Sequence, residues 1–329
     1  MIRKLGIVFF GLIFLLMNVL YGTIVFADEP PATPPSPQLG TPITQSSHNF
    51  FNIDYTGCGG ITAPVVNANY EQQVLDLVNS ERASNGGLPP LKRVDSLDAS
   101  ARYHATDMAQ DDYFDHDSYD RVNGNLQIAC GTWDRVLGYY GSNWRYLAEN
   151  IAAGYATPTD VMDGWMHSDG HRHNILSTDV WEIGIGYYEG AGTYYRYWAQ
   201  DFGRKSDRYP VIINRDVAVT TSQNVQLYIY GVGDFDEMRL RNNDGTWTNW
   251  MPFQSNYNWT MDGFSGNQTV SVEMRRGGST AASSDDITVN LPFPRLGGLP
   301  TEIGFLYSRA TGELIPARHQ LSPTNTNTT

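Results

Sequence analysis

The runs Glu182-Ile-Gly-Ile-Gly-Tyr-Tyr188 and Tyr194-Tyr-Arg-Tyr-Trp-Ala-Gln-Asp-Phe202, separated by Gly190-Ala191-Gly192, decide the fold class of this chain. Stretches rich in aromatic and β-branched residues and bounded by glycine read as the two strands of a hairpin. Upstream, Tyr70, Val74, Leu77 and Val78 recur with helical spacing from Tyr70 to Ala83, and Asn85-Gly86-Gly87 with Pro89-Pro90 ends that helix. A second helix is expected from Leu97 to about Gln110, capped by Ser96, with Leu97, Ala101, His104, Ala105 and Met108 on one face. A third, with Thr159 as its cap, carries Val161, Met162 and Trp165 to a break at Asp169-Gly170. Helices first and a hairpin last imply an α+β sandwich rather than a doubly wound sheet.

Beyond a boundary near Tyr209-Pro210 the pattern changes. Asn224–Tyr230, Glu237–Arg241, Thr269–Met274 and Asp286–Leu291 alternate apolar and polar residues between turns such as Asn243-Asp244-Gly245 and Arg276-Gly277-Gly278. Short strands at this spacing suggest an all-β sandwich over residues 209–292, immunoglobulin-like or fibronectin-like. Trp247, Trp250, Tyr257 and Trp259 lie there, and core packing is the expectation for them over stacking on sugar rings. Residues 293–329 read as a strand-like extension, Ile303–Tyr307, followed by a Thr/Asn-rich tail from Pro323.

At the other end, Met1-Ile-Arg-Lys4, an apolar run from Leu5 to Leu20 and Val25-Phe26-Ala27 have the parts of a secretion signal over residues 1–27, cleaved after Ala27; the alternative is an uncleaved anchor. Residues 28–47 hold six of the 17 prolines and read as a semi-rigid linker. No later segment is apolar enough to span a bilayer. With 22 Lys+Arg against 35 Asp+Glu the net charge is −13, which argues against nucleic-acid partners. Residues 30–208 carry 12 basic and 22 acidic side chains, so the acidity sits mainly in the α+β region and favours cations there. Two cysteines exclude a disulfide-framework miniprotein and a four-cysteine zinc site. In a secreted chain Cys58 and Cys130 are expected to pair, tying the N-terminal arm to the segment after His116; the alternative is two free thiols.

Five of seven histidines lie between 104 and 173. His104, on the apolar face of the second helix, reads as a packed core residue. His116, in Phe114-Asp-His-Asp117, leaves that helix on an irregular turn where a ring can face a cleft. In His167-Ser-Asp-Gly-His-Arg-His173, Ser168 stands where a zincin helix needs its glutamate, which argues against a metalloprotease.

Phe114-Asp-His116, Ala148-Glu-Asn-Ile-Ala152, Gly164-Trp-Met166, Gly170-His-Arg-His-Asn-Ile-Leu176, Glu182-Ile-Gly-Ile-Gly186 and Trp198-Ala-Gln-Asp-Phe202 follow one another in an order and spacing that resembles the bacterial CAP (SCP/PR-1-like) domains. Leu77-Val-Asn-Ser-Glu-Arg82 fits the first helix of the same family. The resemblance implies a CAP domain, placed at residues 48–208, with a three-layer α-β-α sandwich and a central cleft lined by two histidines and two acids. Carried over by motif, these are His116, Glu149 and His171. The second acid falls at or near Ser168 and is missing, and Glu182 is a candidate replacement.

Two imidazoles and a carboxylate can hold Zn2+ or another divalent cation, with a second carboxylate orienting a ring or a water. The alternative is a hydrogen-bonded core network of the same side chains. The family is secreted and has been linked to lipid or sterol binding and cell-envelope interaction, so the expected function is a secreted module binding a lipid or cell-envelope ligand. The rival is a metal-assisted hydrolase acting on cell-wall or peptide substrates, with His116, Glu149, His171 and Glu182 as its catalytic set.

Overall fold

A computed structural model describes residues 55–292, together with the backbone of three short strands at 23–24, 305–307 and 314–316. The expected leader, apart from Thr23–Ile24, the expected proline-rich linker and the tail from Pro323 lie outside the described residues. The described residues up to Asn290 form one compact unit and those from Leu291 onward a second.

The first unit is built on a five-stranded sheet. Its strands are β1 (Thr23–Ile24), β2 (Lys92–Arg93), β5 (Trp144–Ala153), β6 (Glu182–Glu189) and β7 (Arg196–Lys205), in the order β1-β5-β7-β6-β2. The hairpin expected from the sequence is β6–β7, paired antiparallel from Glu182↔Gly203 to Glu189↔Arg196. Helices α2 (Asp95–Gln110) and α3 (Thr132–Tyr140) cover one face, while α1 (Ala68–Ser84), α4 (Pro158–His167) and α5 (Asp169–Leu176) cover the other. This is the three-layer sandwich. A small hairpin, β3 (Ser118–Val122) with β4 (Asn125–Cys130), joins α2 to α3.

Both faces of the sheet are buried, but by different chemistry. Toward α1, α4 and α5, the side chains of Ile183, Ile185, Tyr187, Trp198 and Phe202 meet Val74, Val78, Met162 and Trp165 in an apolar cluster. Toward α2, strand β6 presents Gly184 and Gly186. A Cβ on Gly184 would lie 2.0 Å from the backbone carbonyl carbon of Leu97, and one on Gly186 would lie 2.2 Å from that of Ala101. The helix therefore rests on bare strand, and the two glycines read first as strand residues are the condition for that approach.

Helix ends depart from expectation in detail. Asn67 caps α1, its Oδ1 accepting from the Tyr70 amide at 3.1 Å. Helix α2 begins at Asp95, so Ser96 is inside it and Val94 takes the cap position without a side-chain bond. Helix α4 is capped by Thr157 rather than Thr159, because Pro158 fits the first helical position and needs no amide partner there. The break after α4 falls at Ser168, and Gly170 sits inside the next helix. Cys58 and Cys130 are joined, with Cα atoms 5.4 Å apart.

The remaining strands of the first unit form two further sheets. One is three-stranded, with β8 (Val211–Ile213), β10 (Asn224–Ile229) and β13 (Asn256–Thr260) in the order β13-β10-β8. The other is five-stranded, with β9 (Val219–Thr220), β11 (Glu237–Asn242), β12 (Met251–Pro252), β14 (Gly266–Arg276) and β15 (Ser279–Val289) in the order β12-β11-β14-β15-β9. Inward residues alternate along β11 and β14, with Met238, Leu240, Val270, Val272 and Met274 buried. Trp247 and Trp250 are only half-buried and carry arginines on their faces: Arg241 stands 4.7 Å from the Trp247 ring centre and Arg275 stands 4.0 Å from that of Trp250. In the second unit β16 (Phe305–Tyr307), within the expected 303–307 run, pairs antiparallel with β17 (Leu314–Pro316).

The β region is fastened to the α+β region by specific contacts. Trp181 stacks on Tyr230 at 4.5 Å, and the Arg204 guanidinium stands 3.6 Å from the Trp181 ring centre. The Tyr230 hydroxyl donates to the Pro90 carbonyl at 3.0 Å. Lys92 Nζ meets Asp216 at 2.6 Å and Asp285 at 2.5 Å, and Asn79 Nδ2 donates to the Arg215 carbonyl at 2.9 Å. Asn214, Arg215 and Asp216 all have positive φ, of 47°, 64° and 68°, a conformation these docking bonds hold in place.

Gly184→Ala and Gly186→Ala are expected to destabilise the protein by about 3 kcal/mol or more, the upper end for overpacking against fixed backbone. Urea unfolding of each variant checks this, and wild-type stability in both would remove the close-approach account.

Candidate functional site

Glu149 projects from the middle of β5 toward the α2–α3 layer and is 2% exposed. A buried carboxylate needs partners to stay ionised, and two are present. Arg135 of α3, itself fully buried, donates Nη2 to Glu149 Oε2. His116 places Nδ1 2.7 Å from Oε1. Arg135 also donates Nη1 to the His116 carbonyl at 2.9 Å and to Ser118 Oγ at 3.0 Å, so one guanidinium fixes the carboxylate and the loop that carries the histidine.

The charges follow from these contacts. Burial alone would raise the Glu149 pKa, but the adjacent Arg135 outweighs it and, with the histidines, holds the carboxyl well below the usual range. Burial disfavours the charged His116 ring, yet the hydrogen bond and charge of Glu149 prevail and raise its pKa. His171 is 3% exposed; burial, reinforced by the His116 charge, pushes it down to about 4, and its Nδ1 has no hydrogen-bond partner. Its carbonyl accepts from Asn150 Nδ2 at 3.2 Å, which anchors α5 to β5 beside the Glu149 backbone.

His116 and Glu149 are thus brought together, with His171 near enough to His116 to feel its charge. Among the described residues, His116, Glu149 and His171 do not present three ligand atoms within 4.8 Å of one another. Glu182 stands elsewhere. It lies opposite Gly203 on β7, whereas Glu149 lies opposite Asp201, so β7 separates the two strands that carry them. Its Oε2 accepts from the Tyr140 hydroxyl and its Oε1 from Arg208 Nη1 at 3.0 Å. His167 and His173 are exposed, and His104 is fully buried in α2 with Nε2 3.0 Å from the Asp115 carbonyl, the packed role expected for it.

Two site residues escaped sequence reading. Arg135 sits on a helix that had not been expected, although Trp133, Val136, Leu137 and Tyr140 have helical spacing. Asp201 lies inside a quoted motif but had no role. It is fully buried across from Glu149, and burial together with the Glu149 charge pushes its pKa well above the ordinary value, which favours the neutral form. A charged residue in an otherwise apolar strand was the available signal.

Residues 75–202 match the profile of the CAP, cysteine-rich secretory protein, family. This stretch is a CAP domain. It is similar to two proteins of Bacillus subtilis (strain 168). Uncharacterized protein YkwD is 36% identical over 141 residues, covering 43% of this chain and 49% of that protein. Uncharacterized membrane protein YlbC is 32% identical over 116 residues, covering 35% and 31%. The chain therefore spans half or less of the length of these relatives. Among solved structures, an extracellular protein containing a SCP domain from Bacillus anthracis str. Ames is 30% identical, with 41% of this chain and 40% of that chain covered and a TM-score of 0.34. An outer surface protein from Borrelia burgdorferi is 16% identical, with 44% and 99% covered and a TM-score of 0.36. No helix among the described residues of this chain is long and apolar enough to cross a membrane.

Two outcomes test the electrostatics of the CAP domain site. Glu149→Gln and Arg135→Met should each cost about 3–5 kcal/mol, the penalty of stranding a buried charge, with the double variant costing less than the sum; additive losses in urea titrations would refute the pairing. His171 has a folded pKa near 4, below the ordinary 6.5, so its contribution to stability is present above pH 6.5 and is lost as pH falls toward 4. His171→Gln should remove about 3 kcal/mol of the pH dependence across that window, read from melts at pH 7 and pH 4.

Proposed function

We propose that the chain is a secreted CAP-domain protein whose His116–Glu149 cleft binds a lipid or cell-envelope ligand, with the β region as an immunoglobulin-like or fibronectin-like docking module. The observation that carries this reading is the clamp on Glu149. A carboxylate held ionised by a buried guanidinium is a poor proton acceptor, which disfavours a general base and favours a fixed hydrogen-bond acceptor. Its role is then to orient His116 through Nδ1 and favour the protonated ring, whose opposite nitrogen can donate to a polar or anionic group of the ligand.

Zn2+ or another divalent cation is the alternative occupant of the same cleft, and its binding would require His116 to give up the proton that Glu149 favours. The donor chemistry suits His116 and His171 as nitrogen ligands and Glu149 as the carboxylate orienting His116, since both Glu149 oxygens already accept hydrogen bonds. A metal there would supply Lewis acidity to a bound oxygen. Both histidines bind metal only as neutral rings, and His171 is already biased that way. The hydrolase reading rests on the same residues.

The experiment is a ligand screen on the mature chain with lipid vesicles, sterols and cell-wall fragments, scored for both capture and turnover, with and without chelator. Capture without turnover, weakened at least tenfold by His116→Ala, is expected. Chelator-sensitive turnover of a cell-wall or peptide substrate, abolished by His171→Ala, would instead establish the hydrolase.

A further inference from the structure

The outward faces of the two β-region sheets differ in chemistry. On the five-stranded sheet, outward side chains form cross-strand ion pairs, Arg239 with Glu273 and Arg275 with Glu237. On the three-stranded sheet, β10 turns Asn224 and Gln226 outward and β13 turns Asn256, Asn258 and Thr260 outward, all exposed and none charged. Asparagine is depleted in strands, so three on one face run against local preference. Departures of this kind are expected where a surface has a function.

Four of these side chains surround an open recess of about 330 Å³. Asn224 lies opposite Thr260, and Gln226 lies opposite Asn258. Between them Val225 and Trp259 form the floor, with their side chains on the other face: Val225 is buried, and the Trp259 ring nitrogen donates to Asn242 of β11. The strands are held in place around the recess. Thr260 Oγ1 donates to Asn224 Oδ1 at 2.9 Å, the Gln226 backbone amide donates to Asn214 Oδ1 at 2.9 Å, and the Thr260 carbonyl accepts from Asn242 Nδ2 at 3.1 Å. Among the described residues, the side-chain amides of Gln226 and Asn258 have no hydrogen-bond partner in the protein.

We infer that this recess binds one neutral hexose or N-acetylhexosamine unit of a glycan. Each free amide offers donors and an acceptor side by side, and a sugar hydroxyl likewise donates and accepts, so one Gln or Asn can engage two neighbouring hydroxyls. No charged side chain lines the recess, which leaves nothing to select a phosphate, a metal ion or an ionised peptide. Its volume is at the lower end of small-molecule sites, about 300–1,000 Å³, and its polar walls suit a single sugar ring rather than an acyl chain. Beyond it Tyr228, opposite Asn256, continues the uncharged row toward the next sugar unit. The inference rests on the docking role proposed for the β region and names what that region holds.

The test is titration of the full mature chain with cellotetraose, mannotetraose and chitotetraose, followed by calorimetry and by the side-chain amide signals in NMR spectra, with tetragalacturonate as the anionic counterpart. One site per chain is expected for at least one neutral oligomer, with Kd of about 10⁻³ M for so open a recess. Gln226→Ala and Asn258→Ala, at exposed positions, should each weaken binding about fivefold, the net worth of one hydrogen bond, and leave capture by the histidine cleft unchanged. Circular dichroism establishes that each variant is folded. Absence of binding to all three neutral oligomers at about 20 mM, well above that Kd, overturns the inference. So does equal binding of tetragalacturonate, or binding unchanged in both folded Ala variants. Binding that His116→Ala abolishes would place the sugar in the cleft and also overturn it. Failure of cleft capture leaves the amide signals of this recess untouched, so the two readings fail separately.

Discussion

The direct contact of α2 with β6 is the constraint on which the CAP domain depends. Without side chains at Gly184 and Gly186 the helix sinks onto the strand at Leu97 and Ala101, and farther along Ala105, Met108 and Ala109 cluster with Ile151, Tyr197 and Ala199 of the central strands. That is where the chain turns through Asp111 to His116 and meets Glu149. A helix held away by ordinary side chains would leave the loop short of the carboxylate. The close approach also seals the space around Glu149, Asp201 and Arg135, which is why these polar groups are as buried as the apolar core.

Burying a charge so deeply gives the site its character. Arg135 and Glu149 neutralise each other, and burial together with the Glu149 charge favours the neutral form of Asp201 across the strand pair. The result is one fixed carboxylate with one histidine exposed on it. His171 approaches from the helix layer on the other side of β5 and is held in the opposite protonation preference. Two histidines with opposed preferences a short way apart can act on a ligand differently: one donates readily, the other accepts.

Much of this was legible in the residues. The β6–β7 hairpin, the first two helices and the apolar stripe of α4 followed from periodicity, and the ordered motifs singled out His116, Glu149 and His171 without the strand β5 and helix α5 that carry the last two. What sequence reading missed has a common physical cause. Strand β5 contains Ala148-Glu-Asn150 amid apolar residues and lacks clean alternation, because both of its faces are buried and polar groups are satisfied inside. Helix α3 is short and has Gly138 near its end, so its pattern is weak and Arg135 was given no role. Glu182 illustrates the opposite difficulty: its motif position is clear, but its partners, Tyr140 and Arg208, come from distant parts of the chain. The cap at Thr157 was missed because Thr159 offers the same side chain on the other side of Pro158.

The bonds that fasten the β region, through Lys92, Trp181 and Tyr230, have a mechanical consequence. With stacked rings, a bifurcated ion pair and a left-handed turn all engaged at once, the two parts cannot pivot on a hinge at Tyr209-Pro210. Load applied through the β region reaches the sheet at β2 as shear across several bonds acting in parallel. The orientation of the cleft relative to any point of attachment on the β region is then set by the fold and withstands tension, as a bracket does and a tether does not.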